Sequence, residues 1–280
     1  MQGRTIVCLL LAGSQAVTAE VAYGRSFEIN QECAETGCFP GDSPGLPVTI
    51  NAPGRYQLTS HLALPSASYG ILVQNTYGHV TIDLGGMTIS GKNTCSGQPV
   101  TRCDWDGGSG YGIAAYGPES LTIRNGNIAN IWGTGVNVGT WGEGGRGAVL
   151  LQDIVIEQSS GMGARLHGGA VQIERVKVRQ NRQGGLLLEG HERSQSAITL
   201  RSADLIGNGG YGLSVYSDQA FIEESTFLSN GSFGLINGGV FTRSLFSGNN
   251  GGGQQIYNNG PSDMGGNRCG TRAPYTCLSY

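Results

Sequence analysis

The chain has 280 residues, enough for one large domain, and carries 17 basic and 20 acidic residues for a formal net charge of −3. That balance lacks the basic footprint that a nucleic-acid partner needs. Its 49 glycines accompany only 9 prolines and fall in no Gly-X-Y triplet, which excludes a collagen helix.

The N-terminus reads as a secretory leader. Arg4 supplies positive charge, Ile6 to Ala12 is a short apolar run, and Val17-Thr18-Ala19 has the small residues at which a signal peptidase cuts. Residues 1–19 are expected to be removed, with a second candidate cut after Ala22, and the protein is expected to be secreted or periplasmic. No later apolar run approaches the ~18 residues of a membrane span. Cys8 falls in the leader. The other six cysteines lie in close pairs: Cys33 with Cys38, Cys95 with Cys103, and Cys269 with Cys277. Proximity favours these three disulfides, and an even number fits an oxidising compartment. No pair has zinc-knuckle spacing and no histidine is close by, so neither metal nor cofactor is expected.

From Gly70 onward a glycine returns, each time opening the same short apolar pattern. Gly-Ile-Leu-Val begins at Gly70, Gly-Ile-Ala-Ala at Gly112, Gly-Val-Asn-Val at Gly135 and Gly-Ala-Arg-Leu at Gly163. Gly-Leu-Leu-Leu follows at Gly185, Gly-Leu-Ser-Val at Gly212 and Gly-Leu-Ile-Asn at Gly234. The uninterrupted intervals are 22 or 23 residues. A period this short predicts a solenoid whose turns bury their apolar side only by stacking on one another.

The best-formed coil, residues 171–188, shows the frame. Val171 and Ile173 alternate with polar residues, as do Val176 and Val178; Asn181 follows, then Gly185 and three leucines. Three short period-2 runs per coil predict three strands with one buried face. In the same frame Ile198, Leu200, Ala203 and Leu205 lead to Asn208, and Ala220, Ile222, Ser225 and Phe227 lead to Asn230. Val240, Thr242, Leu245 and Ser247 lead to Asn250, and Ser159 takes the asparagine position one coil earlier. Asn181, Asn208, Asn230 and Asn250 are therefore expected to stack in one turn.

The segment Ile82-Asp83-Leu84-Gly85-Gly86-Met87-Thr88-Ile89-Ser90-Gly91, with the coils after it, resembles the right-handed parallel β-helix proteins of the pectate-lyase-like superfamily. The resemblance covers about residues 48–255. It implies an all-β, single-stranded right-handed parallel β-helix of about eight coils of ~22 residues, capped at both ends. Residues 20–67 are expected to form the N-terminal cap, 68–255 the β-helix and 256–280 the C-terminal cap. A leucine-rich repeat fits Ile173, Val176, Val178 and Asn181, but the equivalent inward positions elsewhere hold Ala203, Ser225 and Thr242, and it has no place for the glycine-led strand.

Candidate chemistry lies on the coil surface. The last outward position of each first strand gives a row of Asp83, Arg124, Gln152, Glu174, Arg201, Glu223 and Arg243. Alternating signs there avoid like charges side by side, and a substrate-contacting row is the competing reading. Two coils carry insertions, Gly139–Gly147 and Glu189–Ser196, separated by the short connection His167-Gly168-Gly169. Such loops would wall a groove with Trp141, Glu143, Arg146, Glu189, His191, Glu192 and Arg193. A further insertion, Lys92–Ser109, contains Asp104-Trp105-Asp106 and follows the second strand, so it is expected on another side.

The resemblance implies engagement of an extended, uronate-containing polysaccharide. Uronate chemistry by a lyase or epimerase needs cations and a positioned base, for which His167, His191 and Arg201 are candidates. Hydrolysis needs two carboxylates, for which Glu174 with Glu189 or Glu223 are candidates. Gln152, Glu223 and Arg243 are further substrate-contact candidates. The chain lacks the Asn-Thr-Asp, Asp-Asp and Gly-His-Gly segments of polygalacturonases and the Asp-Pro-His-Glu of mannuronan epimerases. Arg201 between Glu174 and Glu223 argues against a calcium cluster. A non-catalytic structural or adhesive rod is the alternative.

Overall fold

A computed structural model describes residues 26–65, 68–104, 109–139, 147–191, 196–257, 261–270 and Cys277. The leader, Trp105 and Asp106, and the loop residues Trp141, Glu143, Arg146, Glu192 and Arg193 lie outside the described residues.

Each coil contributes three strands to three parallel sheets. In the coil at 170–190 these are Ala170–Glu174, Lys177–Arg179 and Gly184–Gly190. Third strands form a sheet of eight. First and second strands are continuous with one another, because Ser120–Ala129 and Ala148–Glu157 run unbroken round the corner between them. The stack has about nine turns averaging about 26 residues, the insertions lengthening the 22-residue unit.

In the six coils from Ser120 to Gly248 one left-handed residue turns each of the first two corners. Between first and second strands it is Asn125, Asp153, Arg175, Ser202, Glu224 or Arg243, with φ between 46° and 61°. After the second strand it is Asn130, Gln158, Gln180 or Ser229, with Gly207 and Gly248 in the remaining coils. Outside glycine this conformation costs roughly 1–2 kcal/mol per residue. Sheet pairing on both sides of every corner holds it in place.

The asparagine follows the left-handed residue and is not itself left-handed. Asn181, Asn208, Asn230 and Asn249 are fully buried, and each of the first three donates through Nδ2 to the Oδ1 of the next at 2.8–3.1 Å. The fourth member is thus Asn249; Asn250 sits at φ 52° outside the ladder. Gln255 closes it, accepting from both the backbone N and Nδ2 of Asn249 at 3.0 and 2.9 Å. At the other end the Ser159 backbone N donates to Asn181 Oδ1 at 3.0 Å.

The last coil departs from the expected frame by one residue. Ile222 pairs with Phe241 and Phe227 with Phe246, so Phe241 and Phe246 point inward in place of Val240, Thr242, Leu245 and Ser247. A one-residue slip exchanges the two faces of a strand. Apolar residues adjoin at 240–241 and 245–246, so alternation alone could not choose; the larger rings fill the core. Phe227 and Phe246 stack with centroids 4.5 Å apart.

The recurring glycine marks a corner with no room for a Cβ. A Cβ on Gly163 would meet Val178 Cγ1 at 2.2 Å and the Gly185 carbonyl oxygen at 2.9 Å. On Gly185 it would meet the Gly212 oxygen at 2.2 Å, and the same clash repeats along the column.

All three cysteine pairs are bonded. Cys33–Cys38 pins the short helix Gln31–Thr36, capped by Asn30, whose Oδ1 accepts from the Cys33 backbone N at 2.8 Å. This helix buries Ala34 at one end of the core. Strand pairing itself runs from Ser26–Ile29 to Arg268–Cys269, wider than the span marked by the glycine repeat. The Cys95–Cys103 hairpin lies over the second corner, where the Val100 backbone N donates to the Gly207 oxygen at 3.0 Å.

Candidate ligand face on the third-strand sheet

The structure divides the candidate residues between two surfaces. Asp83, Arg124, Gln152, Glu174, Arg201 and Glu223 are register partners at the last position of the first strands, next to the first corner. Thr242, not Arg243, continues this row; the one-residue slip moves Arg243 to the corner position of Glu224. The row is internally paired. Arg124 contacts Asp83 at 2.9 Å, Gln152 donates to Glu174 at 3.2 Å, and Arg175 bridges Asp153 and Glu174. Glu223, with a side chain only 8% exposed, is held between Arg201 and Arg243.

His167, Glu189 and His191 lie elsewhere, at the far end of the third strands where the insertions at 139–147 and 189–196 depart. His167 pairs in register with Glu189, and the two histidine rings stack with centroids 5.9 Å apart. Glu174 lies four residues beyond Ala170, where the next sheet begins, or about 13 Å along the strand. The structure therefore brings three of the five catalytic candidates together and leaves Glu174 and Arg201 on a different sheet.

The third strands present three outward columns. One runs Tyr69, Tyr111, Thr134, Met162, Gly184, Tyr211. The middle one runs Leu72, Ala114, Asn137, Arg165, Leu187, Ser214. The last runs Tyr116, Gly139, His167, Glu189, Tyr216. Ile113, Val136, Ala164, Leu186 and Leu213 point inward, so period-2 alternation sets the middle and last columns outward. The corner glycine before each of them also faces the core, as Gly112 does toward Ile128, and this break in alternation leaves the residue ahead of it outward.

Arg165 occupies the centre. Its Nε donates to Glu189 Oε2 at 2.8 Å, and its side chain remains 54% exposed. The bond to Glu189 holds the guanidinium above its ordinary range. Tyrosines frame it on both sides along the stack. Tyr211 lies over Gly184, where a Cβ would meet its ring at 3.2 Å, and its hydroxyl donates to Met162 Sδ at 3.6 Å. Burial pushes the Tyr211 phenol up to about 12. Tyr116 leans across the sheet, its hydroxyl accepting from Asn137 Nδ2 at 3.0 Å. Tyr69 and Tyr111 pack at 4.8 Å, and burial raises the Tyr111 phenol.

The family model described as "Right handed beta helix region" matches residues 111–269, more than half of the chain. The chain belongs to this family. Neither a search of curated proteins nor one of solved structures returned a match. Membership in the right-handed β-helix family accords with the pectate-lyase-like resemblance and with the stacked coils. A fold of this kind hosts many activities, so the chemistry has to be read from the face itself.

On this β-helix the face combines a cation, a carboxylate, two imidazoles and several half-exposed phenols. Among the described residues no group of three or more His, Cys, Asp or Glu side chains is placed to hold a metal ion. Sequence reasoning passed over Arg165 and the tyrosines. The signal was present: Tyr-Gly-Ile-Ala-Ala-Tyr at 111–116 and Tyr-Gly-Leu-Ser-Val-Tyr at 211–216 are the same hexad in two coils.

Proposed function

We propose that this protein is an extracytoplasmic β-helix that binds an extended, carboxylate-bearing polysaccharide along the outward face of its third-strand sheet. The observation that carries the reading is Arg165, half-exposed at the middle of a tyrosine-bounded face. With Nε held by Glu189, the terminal guanidinium nitrogens of Arg165 are the donors it offers a ligand carboxylate, and phenol rings stack on the apolar faces of sugars. Three disulfides fit an oxidising compartment, which supports secretion or a periplasmic address. No helix among the described residues is long and apolar enough to cross a membrane.

If the face also transforms its ligand, lyase or epimerase chemistry is favoured over hydrolysis. Arg165 and His167 are alternate residues of one strand and so share its outward side. One could neutralise a uronate carboxylate while the other takes the neighbouring proton. Of the two-carboxylate pairings, Glu174 and Glu189 lie on different sheets, and Glu174 and Glu223 share the first-strand sheet with Arg201 between them and Glu223 held by Arg201 and Arg243.

The test is retention of the secreted form on gels containing polygalacturonate, alginate or neutral glucans. Wild type is expected to be retarded by an acidic glycan, and Arg165→Ala to migrate freely at unchanged melting temperature. An ultraviolet-absorbing unsaturated product would establish a lyase. Equal retardation of wild type and Arg165→Ala would refute this site, and no retardation by any glycan would favour a structural or adhesive rod.

A further inference from the structure

The two hexads occupy matching positions on strands that are four steps apart in the sheet. Tyr111 and Tyr211 are the first outward residues of their strands, and Tyr116 and Tyr216 the last. Between them lie only the strands Thr134–Gly139, Met162–Gly168 and Gly184–Gly190. None of these three carries an aromatic ring at the first outward position, which holds Thr134, Met162 and Gly184. Four strand spacings of ~4.8 Å place the two tyrosine pairs about 19 Å apart along the rod. Arg165 lies on the middle strand, two steps from each.

The rings are set for contact. Tyr116 and Tyr216 are 38% and 37% exposed, near-equal values for equivalent positions at opposite ends. Tyr211 lies flat on Gly184, where a side chain would lift it, and Tyr116 is tethered across its sheet by Asn137. A ring that lies along a sheet turns its outer face to solvent. Such pre-positioned phenols add contact area at little entropic cost.

We infer that the two tyrosine pairs are end clamps that select ligand length. Each clamp stacks on a sugar at one end of the bound stretch, with Arg165 taking a carboxylate between them. This rests on the binding face proposed above and adds a minimum length and an orientation along the rod. If each sugar advances by about one strand spacing, four spacings between the clamps require about five rings to engage both. Shorter chains reach one clamp and Arg165, or Arg165 alone.

The experiment is titration calorimetry with oligogalacturonates and, in parallel, cello-oligosaccharides of two to eight residues. For the bound series, wild-type affinity is expected to rise with length and level off near five or six residues. Tyr116→Ala and Tyr216→Ala, at opposite ends, should each weaken the octamer about tenfold and leave the trimer within about twofold. Each variant should remain folded, and because both rings are partly buried its melting temperature is measured alongside, with the trimer affinity as the internal control for the site. Affinity that is flat beyond the trimer, or equal weakening of trimer and octamer by either variant, would overturn the clamp and leave the binding face standing. Binding of the neutral series alone, or no binding by either series together with no retardation on alginate gels, would overturn both.

Discussion

Asn208 Nδ2 donates to Asn230 Oδ1 at 3.0 Å between two fully buried side chains in successive coils. The same Nδ2 donates to the Val178 oxygen at 3.1 Å, and Asn208 Oδ1 accepts from both donors of Asn181. Asn208→Ala therefore strands donors on one neighbour and acceptors on another. Each unpaired buried group costs roughly 1–3 kcal/mol, so a loss of about 2–4 kcal/mol is expected in urea unfolding. Asn250→Gly, outside the ladder and already left-handed, should change stability by less than about 0.5 kcal/mol. Similar losses at both positions would contradict the ladder.

The glycine column predicts intolerance to a single methyl group. Gly163→Ala places a Cβ at 2.2 Å from Val178 Cγ1 with backbone oxygen close behind. Relief requires separating two coils or ejecting Val178, so about 3 kcal/mol or more of stability should be lost, read as a lowered melting temperature. A wild-type melting temperature for this variant would show that the coils are not packed this closely.

The charged row should matter for stability and not for ligand. Glu223→Gln leaves Arg201 and Arg243 without their shared, nearly buried carboxylate and should cost roughly 1–3 kcal/mol. Arg124→Ala removes an exposed pair with Asp83 and should cost less than about 1 kcal/mol. Both variants are expected to bind glycan like wild type. Loss of retention in Arg124→Ala with unchanged stability would return the ligand to the first-strand sheet.

High pH probes two phenols, the buried Tyr56 and the partly covered Tyr211. Burial pushes Tyr56 and Tyr211 up to about 12 from the ordinary value of 10.0. A group whose ionisation is raised by folding stabilises the fold below its unfolded value and loses that contribution as pH climbs through the folded one. Stability should thus fall between about pH 10 and 12. Tyr56→Phe, which also gives up the bond to the Ala52 oxygen at 2.8 Å, should flatten part of that fall. Identical alkaline limbs in wild type and Tyr56→Phe would remove Tyr56 as a contributor.

The period carried most of the fold. Gly163, Val171, Ile173 and Asn181 repeat because each solves one local problem per coil: room at a corner, a filled core, a satisfied turn. Where two adjacent residues are equally apolar, as at Val240–Phe241, the pattern loses its direction and only packing of the rings decides. Asn249 and Asn250 show the same limit in polar form. The candidate site was less legible because charge draws the eye more than register does. Glu174 and Arg201 stand out in the sequence yet lie in the first-strand row, on a different sheet from His167, Glu189 and His191. Arg165 falls inside an apolar strand, and Tyr111 and Tyr216 look like ordinary strand residues until pairing sets them on one face with it.

Hydroxyl-radical footprinting with and without bound acidic polysaccharide tests the ligand face most directly. Tyr116 and Tyr216 on the third-strand sheet and Phe221 on the first-strand sheet start nearly equally exposed, at 38%, 37% and 38%. Ligand is expected to protect Tyr116 and Tyr216 from oxidation and to leave Phe221 as reactive as before. Protection of Phe221 with undiminished oxidation of both tyrosines would place the polysaccharide on the wrong side of the rod for this account.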